Sequence, residues 1–304
     1  EQVPVANLRK LRDEEDADGY DKAVWKQIVE LGFAGILIPE EHGGTGFGPM
    51  GLGIVMKEAG RTLAASPLYS TAVLGAGLIM AAGSDPQKAA LLPQIAAGET
   101  LTALALEETN HHNPLNTSMV AEKSGDGFSL TGDKKFVIDG HIADTLIVVA
   151  RTSGAAGEAQ GLSMFLVDAK AEGVSITRNH MVDSRNAASI AFANVQVSGD
   201  AVLGSLGGAY AELETSLDLA RVCLAAEMLG GAETVFDTTL EYLKERKQFG
   251  VIIGTFQALK HRAAELFCEV EICQSVLLDA LSALEERRND TPRAASLAKA
   301  RVGD

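Results

Sequence analysis

The chain has 304 residues, is 46% hydrophobic and 22% charged, and carries a formal net charge of -15. That is enough apolar sequence for a sizeable core in more than one domain, and without an excess of Pro or Gly it excludes a globally disordered chain. The acidity argues against nucleic acid or an anionic membrane surface as a partner, although local Arg and Lys can still hold an anionic small molecule.

The first 98 residues read as helices. Asp21 is placed to cap a helix through Trp25 and Ile28 that stops at Gly32. Residues 39–48 are too rich in Gly for a helix and read as a loop. Met50 to Thr62 has helical spacing. Leu68 to Ala82, the most apolar stretch, reads as a core helix, and no apolar run reaches the ~20 residues of a membrane span. Ser84-Asp85-Pro86 is a helix start with Pro near the first turn, closing near Gly98.

The pattern changes near residue 100. Phe128 to Ile138 alternates around a turn-prone Gly132-Asp133 and reads as strands. Thr145 to Ala150, Leu162 to Val167 and Ser189 to Val197 add further strands. With no helices between them, they suggest an antiparallel sheet or partial barrel. From Gly207 the helical period returns, over about 208–246 and 255–288. Asn289 to Pro292 is a break before a third helix. Helices of 30 or more residues exceed the usual mean of ~11–12 and belong in a bundle, often an oligomeric one. The fold class is therefore α+β. A helical domain (1–99) and an antiparallel β-domain (100–205) precede a C-terminal long-helix bundle (206–304).

Cys223, Cys268 and Cys273 all stand in helix-like sequence, with no C-x-x-C pair. They read as reduced thiols packed as small apolar groups, which suits a cytoplasmic protein. No signal peptide is visible. Residue 1 is Glu and the last helix has no stop signal, so native sequence is expected beyond both ends, and the C-terminal bundle is expected to be truncated.

Five motifs occur in order. Leu31-Gly32 is followed by Pro39-Glu40-Glu41-His42-Gly43-Gly44-x-Gly46. Phe192-x-x-Val195-x-Val197 precedes Leu203-Gly204. Leu217-Asp218-x-x-Arg221 opens the first long helix. Tyr242-x-x-x-Arg246-x-Gln248-Phe249-Gly250 leads into Ile253-x-x-Phe256-Gln257. Ala295-Ser296-x-Ala298-Lys299 closes the series. Order and spacing resemble the acyl-CoA dehydrogenase family over nearly the whole chain.

The resemblance implies a fatty-acid or lipid-metabolism oxidoreductase with FAD as cofactor and an acyl-CoA thioester as substrate. It also implies an electron-transferring flavoprotein as partner and a homo- or hetero-oligomer, dimer or tetramer. In the family a carboxylate removes the proton next to the thioester and the neighbouring carbon passes a hydride to the flavin. The usual base lies on a loop past residue 304. A minority carry a Glu just before the Arg of the L-D-x-x-R segment, and here that position is Ala220, so no catalytic residue is identified. Arg246, Gln248 and Phe249 match the segment that reaches a neighbour's FAD diphosphate, with Arg as the natural fork for two phosphates. Without such a role Arg246 is a solvated helix-end cation that pairs with Glu245 or stabilises the helix C-terminus.

The β-domain half of the flavin site departs from the family. Where the family has Thr-Glu-Pro and then Gly-Ser-Asp, the chain has Leu106-Glu107-Glu108 and His111-His112-Asn113. Where it has Trp-Ile-Thr-Asn-Gly, the chain has Phe136-Val137-Ile138-Asp139-Gly140. Leu106, His112, Phe136 and Ile138 are the matching positions in cis, with Phe136 keeping an aromatic face and Ile138 unable to donate a hydrogen bond. His111-His112 reads as a solvent-facing loop or a phosphate contact. No ligand-spaced acid or Cys supports a metal there. Arg185 reads as structural. Leu217 and Arg221 stand near the acyl pocket by the family pattern, or else serve as bundle packing.

Two functions follow. One is an FAD-dependent acyl-CoA dehydrogenase that dehydrogenates the α,β bond of an acyl-CoA. The other is a non-catalytic partner subunit of a hetero-oligomeric acyl-CoA dehydrogenase that lends its Arg246 segment to a neighbour's FAD.

Overall fold

The computed structural model describes residues 3–304. The N-terminal helices are α1 (Val5–Asp13), α2 (Lys22–Glu30) and α3 (Gly48–Thr62), followed by a π-helical segment (Tyr69–Gly75) that runs into α4 (Ala76–Ala82), and by α5 (Asp85–Ala96). Asp21 caps α2 by accepting the amides of Ala23 and Val24, and Ser84 with Gln87 forms a reciprocal capping box on α5. The 39–48 loop contains a short 3-10 turn at Glu40–His42.

Eight strands follow: β1 (Thr102–Ala105), β2 (Val120–Ser124), β3 (Gly127–Ile138), β4 (Thr145–Arg151), β5 (Leu162–Asp168), β6 (Val174–His180), β7 (Asn186–Val197) and β8 (Val202–Leu203). They form one sheet in the order β6-β7-β3-β2-β4-β5-β8, with β1 also on β4. Most pairings are antiparallel, but β1 runs parallel to β4 over four residue pairs, and β2 meets β4 in parallel at Val120–Arg151. Its inner face is apolar, built on Leu130, Leu146, Val148, Phe165, Ile190 and Val195, with the Phe128 and Phe165 rings 5.3 Å apart.

Gly132-Asp133 is not a turn. Strand β3 runs straight through it, with register shifts against β7 after Leu130 and after Lys134. Gly132 holds φ +149, and a side chain there would come within 2.8 Å of Met119. The glycine serves a bulge and a close approach, which local sequence does not separate from a turn. Strands β1, β2 and β6 also escape the sequence reading. β1 is four residues long and buried throughout, and its sequence, TALA, has no polar alternation.

The rest is helical: α6 (Tyr210–Glu245), a two-stranded hairpin of β9 (Lys247–Gln248) and β10 (Val251–Ile252), α7 (Gln257–Glu285) and α8 (Thr291–Gly303). The chain divides into two compact units. One takes Pro49–Ala64 and Asp218–Asp304, the other Asn7–Gly48 and Ala65–Leu217. In the first, α3 crosses α6 through glycines. A side chain on Gly60 would lie 1.9 Å from the Glu227 carbonyl oxygen, and one on Gly230 would lie 1.9 Å from that of Lys57. Beside the crossing, Lys57 Nζ reaches Glu233 Oε1 at 2.6 Å and Gln274 Oε1 at 2.5 Å, and Arg61 reaches Glu233 at 3.0 Å.

Of the three thiols, only Cys223 is fully buried, and burial pushes its pKa far up. Cys273 is half-buried with its sulfur on the Arg301 carbonyl. Cys268 is exposed, contrary to the packed role expected of it, because its place on α7 faces outward. No described helix is long and apolar enough to cross a membrane.

Candidate functional site

The candidate surface on the sheet is the end of β3 and the loop after β1. Beyond Lys134 the strand bulges, and Phe136 takes φ +51. The bulge leaves Val137 buried while Phe136 and Ile138, 39% and 41% exposed, both stand outside the core. The strand end is held firmly. Ser70 Oγ donates to the buried Asp139 carboxylate at 2.7 Å, and the Asp139 amide donates to the Asn186 carbonyl.

The loop 106–119 is anchored by two buried cations. Lys134 is fully buried, yet its ammonium donates to the Leu106 carbonyl at 3.0 Å and to Glu108 Oε1 at 2.7 Å. Glu108 also accepts the Ser118 amide and hydroxyl, at 2.8 and 2.6 Å, and the Met119 amide at 3.0 Å. Burial works against the Glu108 charge, but Lys134 and the Ser118 hydrogen bonds outweigh it and hold its pKa below the ordinary carboxylate value. Burial lowers the Lys134 pKa, with Glu108 opposing the shift. The second anchor is Arg151 of β4. It donates to the carbonyls of Thr117 (2.6 Å), Leu115 (2.8 Å), Glu158 (2.8 Å) and Gln160 (3.1 Å), tying this loop to the β4–β5 loop.

These anchors decide which side chains the loop presents. Leu106 is buried, 6% exposed, so it lines the core rather than the face shared by Phe136 and Ile138. The Glu107 carbonyl accepts the Lys135 amide at 2.7 Å, which sets Glu107 against β3 one residue before Phe136. Its carboxylate lies 2.5 Å from His112 Nδ1. His111 and His112 are exposed, and no group of acids, Cys and His among the described residues is arranged to hold a metal. Sequence reasoning missed Glu107: five residues separate it from His112, and only the folded loop brings them together.

The helical unit carries its own candidate surface, the hairpin after α6. Phe249 (φ +53) and Gly250 (φ +79) make its turn. Phe249 is 91% exposed, its ring edge-on to Phe256 at 6.1 Å. Arg246 begins the hairpin, accepting the Ile253 amide on its carbonyl; its exposed guanidinium has no ion pair among the described residues, with Glu245 or any other acid. Gln248 is exposed and donates to the Lys247 carbonyl. On α6, Leu217 and Ala220 are buried, and Arg221 Nη1 pairs with Asp218 Oδ1 of the same helix at 2.7 Å. Arg185 is part-buried, in the β6–β7 connection, where its amide donates to Asp183.

Comparison with known proteins covers nearly the whole length. The N-terminal, middle and C-terminal domains of acyl-CoA dehydrogenase match residues 4–99, 103–195 and 207–304. The chain is 30% identical over 295 residues to the caffeyl-CoA reductase-Etf complex subunit CarC of Acetobacterium woodii, covering 95% of this chain and 77% of that protein. It is 32% identical over 269 residues to the mitochondrial isovaleryl-CoA dehydrogenase of Pongo abelii, covering 86% of this chain and less than two thirds, 64%, of that protein. Among solved structures, a variant of the Tcur3481-Tcur3483 steroid ACAD superposes with a TM-score of 0.85 at 33% identity, covering 98% of this chain and 78% of that one. The chain belongs to the acyl-CoA dehydrogenase family.

Proposed function

We propose that this chain works within an acyl-CoA dehydrogenase assembly as the subunit that lends its Arg246 hairpin to a flavin held by a partner chain. Members of the family are generally FAD-binding flavoproteins, so the chemistry is the exchange of hydrogen between an acyl-CoA and a flavin. The observation that carries the reading is an asymmetry. The hairpin carries the Arg246 guanidinium, without an ion pair among the described residues, and, three residues on, the exposed Phe249 ring, a set that suits a diphosphate. The β-domain end of β3 offers Phe136 and Ile138, which supply apolar surface and no side-chain donor, and the backbone of Glu107, whose carboxylate is on His112, is bonded to the strand one residue before Phe136. That donor set does not fit a flavin ring, whose N5, O4 and O2 atoms accept hydrogen bonds and need donors aimed at them. A relative named as a subunit of a reductase-Etf complex favours an electron-transferring flavoprotein as the redox partner. Ala220, buried and apolar, supplies no base on α6.

The test is co-expression with a complete dehydrogenase chain. Alone, this chain should purify without the visible flavin absorbance, and the complex should carry it. Arg246→Ala in the complex should weaken FAD retention by about 10–100-fold, the equivalent of the ~1.5–3 kcal/mol of a hydrogen bond to a charged group. Stoichiometric FAD in the chain alone would sink the reading. A second reading, a self-sufficient FAD-dependent dehydrogenase, is favoured by one observation: the Phe136 ring is exposed at the strand end. Oxidation of an acyl-CoA by the chain alone with an artificial acceptor would establish it.

A further inference from the structure

We infer that Glu107 and His112 form a built-in block that keeps a flavin ring out of this chain's own β-domain. The inference rests on the partner-subunit reading and deepens it by naming the element responsible. A face that had merely lost its polar contacts would regain a flavin once a hydroxyl was restored at Ile138. The geometry points to something less passive.

The backbone holds Glu107 in place. Lys134 Nζ grips the Leu106 carbonyl at 3.0 Å, and the Lys135 amide donates to the Glu107 carbonyl at 2.7 Å. With residues 106 and 107 both tied to β3, Leu106 turns into the core and Glu107 is left to present its side chain at the rim. The loop cannot carry the carboxylate away by swinging open. On its far side Glu108 accepts three hydrogen bonds from Ser118 and Met119, and Arg151 holds the carbonyls of Leu115 and Thr117.

The chemistry of the pair then decides the outcome. An ionised Glu accepts hydrogen bonds and donates none. A flavin ring offers a single donor, N3–H, against the acceptors N1, O2, O4 and N5, and the FAD diphosphate is anionic, so a fixed carboxylate opposes the acceptor atoms and the diphosphate alike. The 2.5 Å contact to His112 Nδ1 satisfies the Glu107 carboxylate within the loop, so nothing is gained by displacing it toward a ligand. His112 is itself half out in solvent, with 52% of its side chain accessible, against 21% for Glu107, so the pair runs from the part-buried carboxylate out to the loop surface.

The experiment titrates FAD into the full chain and follows flavin fluorescence and absorbance, with circular dichroism checking the fold of every variant. Wild type and Ile138→Thr are expected to bind FAD only weakly, with dissociation constants read at the upper end of the titration. The double variant Glu107→Thr/Ile138→Thr is expected to bind FAD at least tenfold more tightly than Ile138→Thr. Glu107→Gln keeps the shape and removes the charge. It should bind at least threefold more tightly than wild type, and it serves as the test if the double variant fails to fold. Equal binding by Ile138→Thr and the double variant would overturn the block. So would a folded Glu107→Gln no better than wild type. Either result leaves the partner-subunit reading to its own test, the Arg246-dependent flavin of the complex. Stoichiometric FAD in the wild-type chain alone would remove both.

Discussion

Lys134 shows how much one residue can set. A lysine with no exposed side-chain surface costs free energy unless its charge is met, and here Glu108 and a carbonyl meet it. Removing one member of such a pair strands the other, which typically costs ~3–5 kcal/mol. Because Glu108 keeps some solvent contact, Lys134→Met is expected at the lower end, about 3 kcal/mol, read as a shift in the urea midpoint at unchanged slope. The pH dependence has a definite sign. The folded pKa of Glu108 lies below its ordinary value of 4.5. Its stabilising share is therefore complete above the unfolded value and is lost as pH falls through the folded one. Acid should loosen the 106–119 loop first, since protonating Glu108 leaves the Lys134 ammonium buried without a counter-ion. Amide exchange in that loop, followed as pH is lowered below 4.5, would check it; unchanged protection in the wild type would refute the coupling.

At the scale of elements, the same loop is joined to the β4–β5 loop by the planar fork of Arg151, which reaches four carbonyls in two segments. Lysine cannot reproduce that geometry. Arg151→Lys should leave at least one of those carbonyls unpaired, at about 1–3 kcal/mol each, and raise amide exchange in both loops together. Exchange rising in only one loop would show that the guanidinium does not couple them. The crossing of α3 and α6 has a different basis. Gly60 and Gly230 let the backbones touch, so Gly60→Ala must push the helices apart. It is expected to lower stability by at least ~1–3 kcal/mol in a thermal melt, the usual cost of overpacking. The helix starts were open to sequence reading, because Asp21 and Ser84 act on amides two or three residues away. Strand β1 was not. Its residues are buried on both sides and it pairs in parallel with β4, some forty residues on, so it lacks the alternation that marks a half-buried strand.

For the whole molecule, the family, the order of its domains and the long C-terminal helices agree with the chain's own pattern. The hairpin after α6 carries a nearly fully exposed Phe249, partly exposed Val251, Ile252 and Phe256, and a guanidinium with no ion pair among the described residues, while the β-domain loop carries the Glu107 carboxylate. The two surfaces call for different occupants. That is why flavin content of the chain alone and of a mixed complex, measured side by side, is the decisive comparison for its role.

What the sequence determined by itself was whatever depends on neighbours a few residues apart: helix caps, the periods of α6 and α7, and the residues of the Arg246 segment. It also exposed the loss of donors at Ile138, because a missing hydroxyl is visible in one letter. Only the tertiary structure decided which residue of the 106–108 run faces outward. A shift of one residue exchanges core for surface along an extended chain, and the register is set by Lys134 and Lys135 from another strand. It placed Leu106 in the core and Glu107 at the rim, beside a histidine whose partner no spacing rule would have named.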